Sequence, residues 1–338
     1  MLGEIASTIF VFWVILLPLI QLNNIFEGIK IIWFLVGGLV LAVFWIFNFK
    51  KLLNKLTRSD LLYFSWVLTL LISSFYGIHP IESIIGTSYR HQGVIFFLFL
   101  WLTGKTLSEI SSKSKNRVKK LIFTSLIFEA FLIFIQKFFG MSLIGTFGEI
   151  NAASGFIAIG SIFVNSIPLL ILLGFAILMT SSRTALLAAI SVLIIKIYKK
   201  SKAFSIILII FALIYFVFSI TAKNSSIFEG RINIWQFGIE LIKERPILGF
   251  GPESGEVIYK NIFAQKNLPL YNLIIDRSHN LGLDLLQWSG IPGLITFSLW
   301  LFSRRNIKLI PFLIFAFFQP LGVTHWVLLM ILVEKVSS

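Results

Sequence analysis

The chain has 338 residues, of which 57% are hydrophobic and only 13% are charged, and its mean hydropathy is +0.92. This composition excludes an ordinary soluble domain, and the absence of cysteine excludes disulfides and thiolate chemistry. The formal net charge of +14 would also fit a nucleic-acid-binding protein, so the placement of the basic residues decides what it means.

Apolar segments recur along the whole chain and predict its fold. A membrane-spanning helix needs about 20 apolar residues. The sequence therefore predicts an all-α, polytopic transmembrane helix bundle of about twelve helices that forms a single integral membrane domain over residues 1–338. One long polar segment, residues 222–279, is predicted to be an extracytoplasmic helical loop within it. The predicted spans are 5–22, 29–48, 60–76, 93–104, 118–139, 152–164, 166–180, 184–198, 203–221, 281–302, 309–319 and 323–334.

Three places affect the number of crossings. The first span, 5–22, follows an N-terminus without basic residues and is expected to be retained, not cleaved as a signal peptide. The segments 152–164 and 166–180 are short, and they form either two crossings or a re-entrant pair. The final apolar region is interrupted at Gln319-Pro320-Leu321-Gly322, which predicts two short helices joined by a turn. The side of the membrane that the C-terminus reaches therefore stays open.

The basic residues lie mainly in four short loops near residues 50–58, 105–120, 196–202 and 304–308. These loops fall at alternate crossings if the N-terminus is cytoplasmic, as the positive-inside rule requires. The net charge thus reflects membrane topology, and no nucleic-acid partner is needed to explain it.

Several arginines and all four histidines fall on the predicted outer side, where positive charge is otherwise disfavoured. Charges at the membrane edge are costly and usually functional. This cluster therefore predicts a site for an anion at the outer face. Its members are His79, His91, His279, His325, Arg90, Arg183, Arg231 and Arg277.

Two of these arginines begin predicted helices. Arg183 lies at the outer end of one helix, where it either reaches a lipid-linked phosphate or serves as a snorkelling anchor. Residues 231–245 have apolar residues at helical spacing and end before Pro246, which predicts an amphipathic helix across the membrane mouth. Arg231 is expected in its first turn, where the helix dipole favours a nearby phosphate.

His279 lies where the long loop re-enters the membrane. Asn280, Asp284 and Gln287 share one stripe of the following helix, so this stripe is expected to face the bundle or water and not lipid. On an ideal helix His279 is about 140° away from Asp284, so the two are not expected to form a pair. His279 is either a structural histidine or a functional group beside the arginines.

Two further features have open interpretations. Residues 246–252 lack the Gly-Lys-Ser/Thr ending of a Walker loop and predict a tight turn, with ligand-binding backbone amides as the alternative. Glu129, near mid-membrane, either pairs within the bundle or lines a groove for a lipid.

Five short motifs follow one another in a characteristic order and spacing. They are Ser182-Arg183-Thr184, Arg231-Ile232-Asn233-Ile234-Trp235, Glu244-Arg245-Pro246-Ile247-Leu248-Gly249-Phe250-Gly251, Ser278-His279-Asn280 and Gln287-Trp288-Ser289-Gly290-Ile291-Pro292-Gly293-Leu294. With them, residues 145–300 resemble the O-antigen ligase and O-antigen polymerase superfamily. Weaker family features are Tyr89-Arg90-His91-Gln92-Gly93 and Glu149-Ile150-Asn151, which stands where the family usually has Asn-Pro-Asn.

The resemblance implies a GT-C-like glycosyltransferase of the bacterial cytoplasmic membrane with its active site on the extracytoplasmic side. The implied donor is a glycan linked to undecaprenyl diphosphate, and the implied acceptor is a hydroxyl of a lipid, a glycan or a protein, with membrane lipids around the chain. Arg183 and Arg231 are expected to bind the diphosphate, and His279 is expected to act at the acceptor. Further substrate-binding residues are expected to be Arg90, Arg277 and Asn280.

The expected reaction is a single displacement that inverts the anomeric carbon. The sequence has no Asp-x-Asp and no clustered carboxylates, so neither a metal nor another cofactor is expected. A ligase and a polymerase of lipid-linked repeat units differ only in the acceptor, and both stay open. A transporter or flippase of lipid-linked sugars is a more distant alternative, for which no internal repeat is evident. A non-catalytic scaffold would not need arginines on the outer side.

Overall fold

The computed structural model describes residues 13, 16, 28–198, 201–221, 226–267 and 274–334. Within them lie fifteen α-helices and two short 3-10 turns, Ser161–Phe163 and Ile307–Leu309, and no strand. The α-helices are α1 Gly28–Phe47, α2 Phe49–Leu53, α3 Arg58–Tyr76, α4 Pro80–Ile85, α5 Val94–Glu109, α6 Ser112–Phe138, α7 Ile150–Gly160, α8 Ile167–Thr180, α9 Arg183–Tyr198, α10 Lys202–Thr221, α11 Ser226–Glu244, α12 Gly255–Gln265, α13 Leu281–Ser303, α14 Ile310–Phe318 and α15 Val323–Val333.

The predicted all-α class is confirmed, because every predicted span from 29–48 onward corresponds to a helix. In the described part of the chain, α1, α3 and α13 are long and apolar enough to cross a membrane, and α7, α8, α14 and α15 are apolar but shorter. The chain is therefore a helical membrane protein. The predicted span 5–22 lies outside the described residues except for Trp13 and Leu16. Twelve helices and a GT-C-like arrangement stay predictions.

The helices group into two compact units. Unit 1 comprises residues 1–38, 102–225 and 306–338, and unit 2 comprises residues 39–101 and 226–305. The loop predicted at 222–279 contributes α11 and α12, which both belong to unit 2.

Unit 1 is organised around α7, whose residues 152–160 are all buried. Helices α6, α8, α9, α14 and α15 pack around it. Small residues allow this close approach, since a Cβ at Gly155 would meet the ring of Phe315. The predicted break in the last apolar region is confirmed, because α14 ends at Phe318 and α15 begins at Val323.

Glu129 of α6 is fully buried in unit 1 and has partners there. It accepts hydrogen bonds from the hydroxyl of Thr146 and from the Thr146 backbone N–H, the latter at 3.0 Å. The ammonium of Lys30 donates to the same hydroxyl at 2.9 Å and lies 3.6 Å from the centroid of the Phe147 ring. A buried charge needs such compensation. These contacts favour pairing within the bundle as the role of Glu129.

Unit 2 is built on α3 and α13, which pack along each other. Aromatic rings fill their contact: the Trp66 ring centroid lies 4.9 Å from that of Phe97 and 4.8 Å from that of Phe297. The Tyr63 ring centroid lies 4.9 Å from that of Trp300, and its hydroxyl donates to the Phe97 carbonyl at 2.8 Å. The buried phenol therefore has the polar partner that it needs.

The helix α13 is interrupted at Ser289 and Gly290, which have non-helical backbone angles. The predicted tight turn at residues 246–252 is confirmed and docks on this break. Its amides at Phe250 and Gly251 donate to carbonyls of α13, which supports the structural interpretation of the turn. Three hydrogen bonds fasten the turn: Phe250 N to Gln287 O (2.7 Å), Gly251 N to Trp288 O (3.0 Å) and Ile291 N to Pro246 O (2.8 Å).

The helix α11 is longer than the sequence predicted. It begins at Ser226, not at Arg231, and ends at Glu244, before Pro246. Gly230 does not stop it, because a single glycine inside a helix costs only about 1 kcal/mol. The prediction that Arg231 lies in the first turn is therefore wrong. The dipole of α11 consequently gives no support for a phosphate at Arg231.

The middle of the long loop forms α12, which packs on α11. Leu241 of α11 and Ile258, Tyr259 and Ile262 of α12 form the buried cluster between them. Beyond this cluster, Lys266 and Glu240 form a half-exposed ion pair with an N–O distance of 2.8 Å. The two helices thus form a hairpin with its own small core.

Replacing Gly290 by alanine should destabilise the protein. Gly290 has φ +65° and ψ −163°, a region essentially restricted to glycine, and a Cβ there would meet the carbonyl oxygen of Ile247. We expect Gly290→Ala to lower the free energy of unfolding by about 1–3 kcal/mol. The measurement is the thermal unfolding midpoint of the purified protein in detergent.

Gly174→Ala in α8 is the matched control, because nothing lies within 4 Å of a Cβ built there. Its helical backbone suits alanine, so this variant should be neutral or slightly more stable. Equal midpoints for the two variants would contradict the strain at Gly290.

Candidate functional site

Residues 276–280, which precede α13, form the centre of the predicted site in unit 2. Asn280 is the N-cap of α13: its backbone is extended, and its side-chain oxygen accepts a hydrogen bond from the backbone N–H of Leu283 at 3.2 Å. An N-cap satisfies helix amides that otherwise have no partner. Asn280 is buried, and this oxygen is engaged in starting the helix.

Ser278 is fixed from two sides. Asp284 accepts hydrogen bonds from the Ser278 backbone N–H at 2.8 Å and from its hydroxyl at 2.6 Å. The indole Nε1 of Trp235, on α11, donates to the Ser278 carbonyl at 2.9 Å. Asp284 and Gln287 are buried, so the predicted inward orientation of their stripe is confirmed. Asp284 binds Ser278, which agrees with the expectation that it does not pair with His279.

Arg277 is only 3% exposed and forms an ion pair with Glu253. Its guanidinium carbon lies 4.2 Å from the centroid of the Trp288 ring, and its Nη2 donates to Gln92 Oε1 at 3.4 Å. The second carboxylate oxygen of Glu253 accepts a hydrogen bond from the Thr87 hydroxyl at 2.6 Å. Both buried charges are therefore compensated inside unit 2.

Arg90 is also buried and paired. It donates to Asp276 from Nε and from Nη2, the latter at 3.3 Å. Burial alone would lower the pKa of Arg90, but the charge of Asp276 and its hydrogen bond raise that pKa. Burial alone would raise the pKa of Asp276, but the charge of Arg90 holds it below its usual value. The pair is thus fully ionised at neutral pH.

His279 is the exception among these residues. Its φ is +58°, in the left-handed region that few residues other than glycine adopt, and its buried Nδ1 has no hydrogen-bond partner in the described structure. Burial, together with the charges of Arg231 and Arg90, lowers the pKa of His279 to about 4 against the opposing charge of Asp276. The imidazole is therefore neutral at pH 7 and can accept a proton.

Arg231 is partly buried on α11, one helical turn before Trp235. Because the Trp235 indole binds the Ser278 carbonyl, this turn of α11 lies against the residue that precedes His279. Arg231 is close enough for its charge to lower the pKa of His279. The fold thus brings the predicted cation and the predicted proton acceptor together.

Arg183 belongs to unit 1, where it is exposed at the first residue of α9. Its two neighbours in the chain are buried and anchored. The Ser182 hydroxyl donates to Asn151 Oδ1 at 2.8 Å, and the Thr184 hydroxyl accepts from Gln319 Nε2 at 3.2 Å. The motif therefore presents one exposed arginine between two fixed side chains.

The element Glu149-Ile150-Asn151 has a structural role in unit 1. Glu149 is the N-cap of α7, and its carboxylate accepts hydrogen bonds from the backbone N–H groups of Asn151 at 2.9 Å and Ala152 at 2.6 Å. Since Asn151 accepts from the Ser182 hydroxyl, this cap supports the arginine motif.

Glu253 and Asp276, the carboxylates that bind Arg277 and Arg90, were not predicted from the sequence. A signal existed, because acids number only 15 in the chain and Asp276 adjoins Arg277. The pairing itself was not predictable, because Asp276 is 186 residues from Arg90. Contacts at such a separation depend on the tertiary fold.

The described residues contain no group of three His, Cys, Asp or Glu side chains that could hold a metal ion. The expectation that the reaction needs neither a metal nor another cofactor stays a prediction.

Residues 168–298 match the family model described as O-antigen ligase. The resemblance to the O-antigen ligase and polymerase superfamily is confirmed. The matched residues include Arg183, Arg231, Arg277, His279 and Asn280, whereas Arg90 lies outside them. No curated protein matches the chain.

The chain thus contains a segment, residues 168–298, that is similar to O-antigen ligases. Members of this family are glycosyltransferase-like membrane enzymes, and their partners are lipid-linked glycans and acceptors.

The buried, neutral state of His279 predicts that the protein loses stability in acid. The folded-state pKa of about 4 lies below the value of about 6.5 in the unfolded chain, so the unfolded state binds the proton more tightly. Stability that is present above about pH 6.5 should be lost progressively as the pH falls to about 4, by up to about 3 kcal/mol.

Thermal unfolding midpoints of the wild type and His279→Gln, measured between about pH 8 and pH 4, test this expectation. The variant should lack this part of the pH dependence. The paired carboxyl of Asp276 has a lowered pKa and loses its contribution only at still lower pH. Parallel losses of stability in both proteins would contradict the assignment to His279.

Proposed function

We propose that the protein moves a glycan from undecaprenyl diphosphate to an acceptor hydroxyl at the outer face of the bacterial cytoplasmic membrane, as an O-antigen ligase-like glycosyltransferase. The observation behind this proposal is the proximity of His279 and Arg231. A neutral imidazole with an unpartnered, buried ring nitrogen lies within the electrostatic reach of a guanidinium. The first accepts protons, and the second binds phosphate oxygens.

In the proposed reaction, Arg183 and Arg231 bind the diphosphate of the donor. His279 removes the proton of the acceptor hydroxyl while the hydroxyl oxygen attacks the anomeric carbon. The bond from that carbon to the diphosphate oxygen breaks, and its electron pair leaves with undecaprenyl diphosphate. The guanidinium groups stabilise the negative charge that develops on this leaving group. One displacement inverts the anomeric carbon, and no step needs a metal.

The pKa of His279 supports an order of events. Before the donor binds, burial and the charge of Arg231 contribute to a pKa of about 4, which makes His279 a weak base. A bound diphosphate would offset the charge of Arg231 and raise the pKa of His279 toward the usual value of about 6.5. A base in that range is effective near neutral pH. The acceptor hydroxyl would therefore be activated chiefly after the donor has bound.

Arg90, Arg277 and Asn280 have a different part in this proposal. All three are buried, and their side chains bind Asp276, Glu253 and the Leu283 backbone. We therefore assign the direct contacts with substrate to Arg183, Arg231 and His279, and we assign to the other three the support of the residues around His279.

The acceptor distinguishes the two closest functions. A ligase moves the glycan to a lipid, a glycan or a protein, whereas a polymerase moves it to a second lipid-linked repeat unit. Both would use the same donor-binding groups. A transporter would need a polar path, and Glu129, the residue that could mark it, is bonded to Thr146 within unit 1. We favour the ligase and keep the polymerase as the alternative.

The side of the membrane follows from charge. Four short basic loops fall at alternate crossings, so we assign the N-terminus to the cytoplasm and the long loop, with Arg231 and His279, to the extracytoplasmic side. Lipid-linked glycans would then be consumed at the outer leaflet.

The decisive experiment incubates the purified protein, in lipid nanodiscs, with an undecaprenyl-diphosphate-linked glycan and candidate acceptors. A glycan joined to the acceptor identifies a ligase, and a lengthened lipid-linked chain identifies a polymerase. We expect inversion at the anomeric carbon by NMR and no inhibition by EDTA. Retention would contradict the single displacement, inhibition by EDTA would contradict metal independence, and no product with any acceptor would overturn the proposed function.

His279→Ala should abolish transfer and leave donor binding largely unchanged, because His279 is assigned to the acceptor. Loss of a general base slows a reaction by roughly a hundred- to ten-thousand-fold. Single-turnover rates and the donor Kd measure the two effects separately. A variant with the wild-type rate would refute the general-base role.

Arg183→Lys provides the comparison. An ammonium keeps the charge but lacks the planar fork that contacts two phosphate oxygens, so this variant should bind the donor more weakly as well as turn over slowly. If both variants showed the same pattern of binding and turnover, the division of roles between Arg183 and His279 would be incorrect.

A further inference from the structure

Four of the five side chains in residues 276–280 bind a partner through a hydrogen bond or an ion pair. Asp276 binds Arg90, Arg277 binds Glu253, Ser278 binds Asp284, and Asn280 caps α13. Among these five residues, only His279 has a buried side-chain nitrogen or oxygen, its Nδ1, without a hydrogen-bond partner. The network therefore fixes the backbone on both sides of His279 and leaves its imidazole available.

The backbone of His279 requires such support. A φ of +58° is unfavourable for a residue with a Cβ, and such conformations persist only where the surrounding structure enforces them. Its neighbours Ser278 and Asn280 are both buried and hydrogen-bonded. The strained conformation is thus imposed by anchors outside His279 itself.

The ion pair between Glu253 and Arg277 is a deeply buried anchor. The two side chains are 2% and 3% exposed. Glu253 uses its other oxygen to bind the N–H and hydroxyl of Thr87, at 3.3 Å and 2.6 Å, and Arg277 lies over the Trp288 ring. The pair therefore ties residues 276–280 to the segment before α5, to the turn before α12 and to α13.

A buried ion pair is poorly explained by stability alone. The free-energy cost of removing two charges from water is offset only in part by their attraction. Apolar side chains of similar size often stabilise a protein as well or better. What a rigid, fully bonded pair provides is a fixed position for the backbone that bears it.

We propose that Glu253 and Arg277 are positioning residues that hold the imidazole of His279 in place for proton transfer. The proposal rests on the proposed function, in which His279 is the general base. Neither Glu253 nor Arg277 contacts the substrate. Their effect reaches the reaction through the backbone of residues 277–279.

A second anchor acts on the same residues from α11. The Trp235 indole binds the Ser278 carbonyl at 2.9 Å, and Trp235 lies one helical turn after Arg231. This hydrogen bond sets the position of Arg231 relative to His279. Trp235→Phe removes the donor and keeps an aromatic ring, so it loosens the segment without removing a charge.

The test compares Glu253→Gln with the wild type in the transfer assay. Gln keeps the shape and can still accept from Thr87, but it loses the charge that holds Arg277. We expect kcat to fall at least tenfold while the donor KM changes by less than about twofold, because a misplaced base affects the transition state more than donor binding. Glu253→Asp, which keeps the charge, should recover part of the lost kcat.

Glu240→Gln is the matched control. Glu240 also forms an ion pair in unit 2, with Lys266, but its side chain is 46% exposed. Such a pair contributes little. The control should keep the wild-type kcat, KM and thermal midpoint.

Rates are expressed per folded protein, measured by the unfolding amplitude. If Glu253→Gln does not fold, Glu253→Asp and Trp235→Phe replace it, and each should lower kcat with little change in donor KM. A folded variant with the wild-type kcat, or one changed only in KM, would overturn the proposal. If the wild type transfers no glycan, the proposed function fails. If His279→Ala is inactive while Glu253→Gln is fully active, only the positioning role fails.

Discussion

A buried polar group in so apolar a protein must find its partner inside the protein, and this constraint shapes both units. In unit 1 the carboxylate of Glu129 is bonded to Thr146, and in unit 2 that of Glu253 is bonded to Arg277. The interruption of α13 follows the same rule, because the turn at residues 246–252 supplies amides for the carbonyls at the break. Polar contacts thus determine how the apolar helices can pack.

His279 is one of a few side chains in the described residues that depart from this constraint, and it combines the departure with a left-handed backbone. An unpartnered buried nitrogen costs about 1–3 kcal/mol, and the left-handed backbone adds strain. Features of this kind cluster at functional sites, where the structure holds a group ready for a ligand. Burial, together with the charges of Arg231 and Arg90, keeps the imidazole neutral, which is the state that a general base needs. The burial that makes the unpartnered nitrogen of His279 unfavourable is therefore also what keeps the imidazole neutral for the proposed proton transfer.

The sequence predicted the helices well, because length and hydropathy are local properties. Each predicted span in the described part of the chain from 29–48 onward is a helix, and the break at residues 319–322 lies where the proline indicated. The ends of the helices were predicted less accurately. Arg231 was placed in a first turn because the periodic segment was taken to begin at residue 231. The helix instead begins at Ser226 and continues through Gly230, whose penalty is small beside the packing of α11 on α13.

In the candidate site, too, local features were predicted from the sequence and long-range contacts were not. Arg231 and His279 were predicted from charge placement and motif, since both depend on residue type and local order. The ion pairs of Arg90 and Arg277 were not predicted, because their partners come from distant segments and meet only in the folded unit. These pairs separate the arginines that support the site from the arginines that are proposed to meet the donor.

The sequence alone determined the helical class, the membrane location and the chemical types of the candidate groups, because composition and periodicity encode burial in lipid directly. The tertiary structure decided which of those groups are engaged and in which state. Arg277 is neutralised by Glu253, whereas His279 is held neutral beside Arg231. Desolvation and charge proximity arise only when separate segments come together, so no local pattern could have specified them.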